Sequence, residues 1–155
     1  MKKQPEEIKI DRISFELGMI NCFVEMIACG VKRMAISPPI PPEDYDKIAD
    51  ASEKIVSGFG LKSYLDRSLL ITDLQSAEFT RDKWSVIYYK EDVDLQKYLA
   101  LKDRKQELEE SGRYTPEARR EISREFMQLL SYPEDVISEK LNAEKPGSPY
   151  MLGDE

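Results

Sequence analysis

The stretch DRISFELGMINCFVEMIACGVKRM, residues 11–34, is the most strongly patterned part of the chain. Its apolar residues recur at spacings of three and four, which is the period of an α-helix with one face on a core. The pattern predicts a single continuous helix over residues 11–34, with Asp11 as its N-cap. Because it is apolar on both sides, this helix should lie among other helices or at a subunit interface. One stripe comprises Ile13, Leu17, Ile20, Val24, Ile27 and Val31, and a second stripe on the opposite side comprises Phe15, Met19, Cys22, Met26 and Cys29.

Four further helices are predicted along the rest of the chain. The proline-rich segment 37–42 should be an extended connector, because each proline ring removes an amide donor and restricts the residue before it. The helices that follow are recognised by their capping residues and apolar periodicity. The first of them begins at Glu43 and Asp44 and ends at residues 58–60, and the second begins after Asp92 and ends at Gly112. The third begins at Thr115, with Pro116 in the first helical position, and the fourth begins at Pro133.

Two short runs between these helices favour β-strands. Residues 69–72 and 84–89 are rich in the side chains that strands prefer, and a third strand around residues 62–65 could join them. The predicted fold class is therefore α+β, predominantly helical, with about five helices and a small antiparallel β-hairpin insert. Residues 11–142 should form a single globular domain, between a flexible N-terminal arm over residues 1–10 and a flexible C-terminal tail over residues 143–155.

Charge restricts the partners of the protein. The 155 residues include 30 acidic and 23 basic side chains, for a formal charge of -7. A negative field repels phosphate backbones and anionic lipid surfaces, so nucleic acid is disfavoured as a partner. Glu25, Lys32 and Arg33 interrupt the apolar stretch and argue against a membrane span. We therefore expect a soluble protein without membrane association.

Histidine and cysteine usage restricts the chemistry. The chain has no histidine, which excludes Ser-His-Asp and Cys-His nucleophile activation and the usual zinc sites. Cys22 and Cys29 are too far apart along the predicted helix to close a disulfide or to share one metal ion. They are expected to be reduced packing residues, and no secretory signal precedes them, so the cytoplasm is the expected compartment. No metal site and no cofactor are predicted.

A narrow polar strip between the two stripes supplies the candidate catalytic residues. Glu25 lies in this strip, and Asn21 lies one helical turn before it. If the strip is covered, a carboxylate there must be paired or protonated, which would suit Glu25 to general acid or base catalysis with Asn21 orienting it. The alternative is that Glu25 simply faces water. Asp66 and Asp73, near the ends of the first predicted strand, are better explained as turn residues.

Residues Phe126–Ile137, FMQLLSYPEDVI, resemble a short motif of uncharacterised prokaryotic proteins, in which a Leu-Leu-Gly-Tyr-Pro segment precedes two cysteines. Ser131 stands here at the glycine, and Asp135 and Val136 stand at the cysteines, so the resemblance implies no thiol role and no activity. Tyr132 and the proline after it are predicted to form the corner between two packed helices, with the tyrosine ring covering the junction.

Two main functional hypotheses follow from these observations, and a nucleic-acid partner that binds the basic clusters on the late helices is a third. The first is a noncatalytic interaction or regulatory domain, in which a homo-oligomeric copy or another protein covers the second stripe of the first helix. The alternative is a small-molecule enzyme or binding protein with a pocket near Glu25. The chain has no Gly-rich phosphate loop, Walker motif, nucleophile elbow or CxxC pair, so the sequence alone assigns no enzymatic activity.

Overall fold

The computed structural model describes residues 7–74 and 77–144, which form six helices and three strands. The predicted class, a predominantly helical α+β fold, is confirmed. Parts of the predicted arm over residues 1–10 and most of the predicted tail over residues 143–155 lie outside the described residues. In chain order the elements are α1 (Arg12–Ala28), β1 (Met34–Ile36), α2 (Pro42–Gly58), β2 (Lys62–Asp66), α3 (Ala77–Thr80), β3 (Ser85–Tyr89), α4 (Asp92–Glu110), α5 (Pro116–Leu129) and α6 (Glu134–Asn142).

The three strands form an antiparallel sheet in the order β1-β3-β2, with β3 in the centre. All five residues of β3 are buried, and their side chains alternate between two cores. Val86 and Tyr88 pack with α1 and α2, whereas Ile87 and Tyr89 pack with α4 and α5. The sheet is therefore the middle layer of three, with helices on both faces.

The prediction of one helix over residues 11–34 is wrong at its C-terminal end. Helix α1 ends at Ala28, and Gly30 has φ 77, the left-handed conformation that glycine adopts readily. The Gly30 and Val31 amides then donate to the carbonyl oxygens of Ile27 and Met26, the two hydrogen bonds of a Schellman cap. The chain turns at this cap and enters β1, so Met34 belongs to the sheet.

The predicted strand over residues 69–72 is also wrong. Leu70, Thr72 and Leu74 are buried, but residues 69–71 lie outside any strand and Thr72 forms only an isolated bridge, so the segment packs as irregular chain. The third strand, around residues 62–65, is present as β2, and residues 85–89 of the predicted strand 84–89 form β3. Strand β1 was not predicted, because three buried residues carry no alternating pattern.

Two of the predicted helix starts, at Asp11 and Thr115, are confirmed by capping hydrogen bonds. Helix α2 instead begins at Pro42, inside the predicted extended connector, because proline is tolerated in the first helical turn. The Asp11 carboxylate accepts from the Ser14 amide at 2.9 Å, and the Thr115 hydroxyl accepts from the Ala118 amide at 3.2 Å. Pro116 occupies the first turn of α5, where its missing N–H costs nothing. These local signals are strong because each satisfies an amide that the helix itself leaves unpaired.

The junction between α5 and α6 has the predicted corner. Tyr132 packs on the small cluster formed by Met127, Ile137 and Leu141, so its ring covers the place where the two helices meet. Ser131 has φ 65 and occupies the left-handed position of another Schellman cap. A glycine would adopt this backbone more easily than serine does.

Candidate functional site

The predicted catalytic pair lies on the exposed surface of α1. Glu25 and Asn21 are both exposed, and neither makes a side-chain hydrogen bond or ion pair with any described residue. The polar strip is therefore not covered by the described part of the chain. The position of Glu25 is the one expected from the alternative interpretation, in which this carboxylate faces water.

The side chains in the second stripe of α1 are partly accessible to solvent. We call Phe15, Met19, Cys22 and Met26 the outer face of α1. Phe15, Met19 and Met26 are half-buried, Cys22 is exposed, and none of the four belongs to the clusters that the described residues form on either side of the sheet. Half-exposed large apolar side chains in a row are a feature of surfaces that meet another molecule.

A half-buried carboxylate on the same helix was missed by the sequence analysis. Oε1 of Glu16 is buried without a hydrogen-bond partner in the described part of the chain. Burial raises the pKa of Glu16 to about 7, while the nearby Arg12 charge lowers it and the Asp44 charge raises it. The sequence contained a signal, because Glu16 lies three residues after Ile13 and four before Ile20, on the side of the helix that faces the core.

Glu16 borders the aromatic residues beneath α1 and α2. Burial raises the pKa of Tyr88, and the charges of Glu16 and Tyr45 raise it further. The Tyr88 hydroxyl lies 3.5 Å from the Ser52 hydroxyl, so the nearest polar group to this tyrosine comes from α2. Glu16, Ser52 and the Tyr88 hydroxyl are therefore polar groups within an otherwise apolar layer, and one oxygen of the Glu16 carboxylate has no hydrogen-bond donor among the described residues.

A second buried carboxylate lies on the other side of the molecule and is fully satisfied. Asp66, at the end of β2, is 1% exposed. Its Oδ1 accepts from the Ser68 amide at 3.0 Å and from the Lys102 ammonium at 2.7 Å, and its Oδ2 accepts a short hydrogen bond from the Tyr98 hydroxyl. Burial and the negative charge of Asp66 raise the pKa of Tyr98.

The hydrogen bonds around Asp66 fix the position of the Tyr98 hydroxyl proton and of the Asp66 carboxylate. Tyr98 cannot act as a base at neutral pH because its hydroxyl is the donor to Asp66 and its pKa is raised. The Asp66 carboxylate is in turn engaged by three donors and faces no open position. The arrangement joins β2 to α4 and has the properties of a structural ion pair.

Asp73 belongs to a third, more exposed network. Its carboxylate accepts from the Arg119 guanidinium and, at 2.8 Å, from the Ser123 hydroxyl. The Asp73 amide donates back to the same hydroxyl at 3.1 Å, which fastens the irregular segment before residue 75 to α5. Asp66 and Asp73 thus do more than the turn role expected of them, because each ties the segment after β2 to a helix distant in sequence.

Metal and membrane sites are not found among the residues described. No group of three or more Asp, Glu or Cys side chains in ranges 7–74 and 77–144 is arranged to hold a metal ion. Of the helices in those ranges, none combines the length and the apolar character needed to cross a bilayer. Comparison with protein-family models, curated proteins and solved structures finds no match to this chain.

Proposed function

We propose that this protein is a noncatalytic interaction domain that forms a homodimer through the outer face of α1. The observation that carries the proposal is the row formed by Phe15, Met19 and Met26. These side chains remain partly accessible and lie outside the two large core clusters, on a helix whose opposite stripe fills a core. Association removes such side chains from water, at about 25 cal/mol for each Å² of apolar surface buried.

A second copy of the chain is the occupant that best fits this face. A helix of 17 residues is about 25 Å long, enough to pack along its symmetry mate in a two-fold interface. Exposed Ile10 precedes the helix and exposed Val31 follows it, so further apolar side chains are accessible near both ends of α1. Charge does not oppose the contact at its centre, since the outer face itself carries no ionisable side chain apart from the Cys22 thiol.

The two cysteines support a reducing compartment. Cys22 on α1 and Cys29 at its C-cap are both free and exposed, so the expectation that they are packing residues is wrong. Exposed thiols persist in the cytoplasm and oxidise readily in secretory compartments, so we assign the domain to the cytoplasm as part of the same proposal.

The mass in solution tests the dimer. The chain has a mass of 17.9 kDa, so light scattering behind size exclusion should give about twice that value at micromolar concentration. Met19→Asp should return the protein to a monomer with an unchanged circular dichroism spectrum. Val93→Asp is the matched control, because Val93 is a 53% exposed aliphatic residue on α4 and should not affect the mass. A wild-type monomer at 100 μM, roughly the upper limit of weak dimers, would refute the proposal.

A further inference from the structure

A groove beside the start of α2 gathers positive charge in an acidic protein. It lies between the start of α2, the segment after β2, and the turn that leads from α3 into β3, and its volume is about 660 Å³. This volume is within the usual range for small-molecule sites. We call it the cationic groove; its lining includes Arg67, Leu69, Ile71, Arg81, Lys83 and Trp84.

The charge of the cationic groove is not neutralised by neighbouring carboxylates. Arg67, Arg81 and Lys83 line it together with a single acidic residue, Asp82. None of the three cations has a carboxylate within ion-pair distance among the described residues, in contrast to Lys102 and Asp66. An unneutralised cluster of cations in a recess attracts anions more strongly than the same charges on an open surface.

The aromatic side of the groove holds one of these cations in position. The guanidinium carbon of Arg67 lies 4.9 Å from the centre of the Trp84 ring. Trp84 is itself fixed by an edge contact with Tyr45 at 5.8 Å and by two backbone hydrogen bonds to Ile40, of 2.7 and 2.8 Å. A stacked guanidinium keeps its in-plane N–H donors free, and that plane matches the two oxygens of a phosphate or carboxylate.

The remaining lining is apolar. Leu69 and Ile71 contribute aliphatic surface, and Ile71 is 38% exposed. A small inorganic anion would leave this aliphatic surface in contact with water. An apolar body joined to the anion would cover it.

We infer that the cationic groove binds a small molecule that bears an oxyanion, a phosphate monoester or a carboxylate, on a compact apolar body. Arg67 and Arg81 bind the oxyanion, Lys83 adds a point charge, and Leu69 with Ile71 contacts the body of the ligand. A long polyanion fits less well, because the net charge of -7 repels nucleic acid along any extended path. This site shares no residue with the outer face of α1, so the inference does not depend on the proposed dimer.

Trp84 provides a direct measurement, since it is the single tryptophan of the chain. Fluorescence titration of the full-length protein, confirmed by calorimetry, uses three probes: phenyl phosphate, benzoate and inorganic phosphate. We expect phenyl phosphate or benzoate to bind with a Kd of about 1 mM or tighter, and inorganic phosphate to bind at least about tenfold more weakly. The tighter of the first two probes identifies the oxyanion.

Charge variants locate the binding. Arg81→Gln should weaken the better probe about tenfold, because it removes a donor without touching Trp84. Arg67→Gln should weaken it at least as much. Lys97→Gln, at an exposed lysine on α4 with no ion pair among the described residues, should leave the Kd unchanged.

Two results would overturn the inference. One is the absence of any saturable response to all three probes at about 10 mM. The other is binding that Arg81→Gln and Lys97→Gln reduce equally, which would assign it to general charge attraction. Neither result bears on the mass measurement, so the dimer and the anion site stand or fall separately.

Discussion

Asp66 and Glu16 are buried to different depths, and the less buried one is the less well stabilised. Asp66 is 1% exposed and accepts from an ammonium, a phenol and a backbone amide. Glu16 is only half-buried, yet its Oε1 has no donor among the described residues and its pKa is raised to about 7. Burial alone therefore does not decide what a carboxylate contributes; the number of donors that replace water does.

The difference also separates a structural role from a responsive one. The donors around Asp66 come from α4 and from the chain after β2, so the network crosslinks elements that are distant in sequence. Glu16 lies between α1 and α2 and changes its charge within the physiological pH range. The stability contributed by the region around Glu16 should therefore depend on pH.

The largest effect is expected for Asp66→Asn. The substitution replaces an acceptor by an amide and leaves the Lys102 cation without its buried partner. We expect a loss of about 3 to 5 kcal/mol in the free energy of unfolding, measured by urea titration. Asp103→Asn, at an exposed carboxylate on α4, is the control and should cost under about 0.5 kcal/mol. Equal losses of unfolding free energy in the two variants would contradict a structural role for the buried Asp66 network.

The next effect is expected for Tyr98→Phe. The variant keeps the buried ring and its contact with Phe126, but removes the hydroxyl that donates to Asp66. Loss of a charge-assisted hydrogen bond should cost about 1.5 to 3 kcal/mol in the same assay. Tyr114→Phe is the comparison, because Tyr114 is half-buried and its hydroxyl makes no hydrogen bond with a described residue; it should be nearly neutral. A neutral Tyr98→Phe would mean that water replaces the hydroxyl without cost.

Glu16→Gln should have a smaller effect of the opposite sign. The pKa of Glu16 is raised from an ordinary value of 4.5 to about 7, so the folded state holds the proton more tightly than the unfolded state. Stability should therefore fall as pH rises from 4.5 to 7, and the full penalty should be present above pH 7.

Removal of this charge relieves the penalty. At pH 8 we expect Glu16→Gln to stabilise the protein by about 1 to 2 kcal/mol, a value reduced for partial exposure, and at pH 4 the gain should vanish. Glu25→Gln is the matched control on the exposed side of the same helix and should change the free energy of unfolding at pH 8 by under about 0.5 kcal/mol. If instead Glu25→Gln abolished a measured turnover while stability stayed unchanged, the alternative of a catalytic Glu25 would gain support.

The smallest effect is expected for Arg119→Gln. Arg119 pairs with Asp73 at the surface, where the arginine side chain is 54% exposed. Such pairs contribute about 0 to 1 kcal/mol, and the Ser123 hydroxyl still binds Asp73 in the variant. Urea titration in 0.5 M salt should reduce the difference further, since screening acts on exposed charges at roughly this ionic strength. A loss above about 2 kcal/mol would place Asp73 with Asp66 among the structural carboxylates.

Local signals along the chain predicted much of the fold. Asp11, Thr115 and Pro116 are placed by amides that every helix leaves unpaired, and those rules operate within a few residues. The end of α1 was missed although Gly30 lies inside the predicted helix, because the apolar period continues to Val31 and glycine within a helix is tolerated. The strand over residues 69–72 was predicted from composition, but a strand also requires a partner edge, which no local rule supplies.

The sequence located candidate side chains but could not predict their surroundings. Glu25 and Asn21 were chosen from their place on α1, and the tertiary structure leaves both exposed. Tyr98 and Lys102 could not be connected to Asp66 from the sequence, since more than 30 residues separate them along the chain. The cationic groove likewise combines residues from the start of α2 to Trp84, which only the packing of the segment after β2 brings together.

The sequence by itself determined five of the six helices of the described residues, the N-caps of α1 and α5, the central strand and the charge of the molecule, because these depend on interactions between near neighbours and on composition. Tertiary structure decided which carboxylate is satisfied, which helix face remains uncovered and which cations share a recess. The physical reason is that burial and long-range hydrogen bonding arise only when segments distant in the chain come into contact, and their free energies depend on geometry that residue order does not contain.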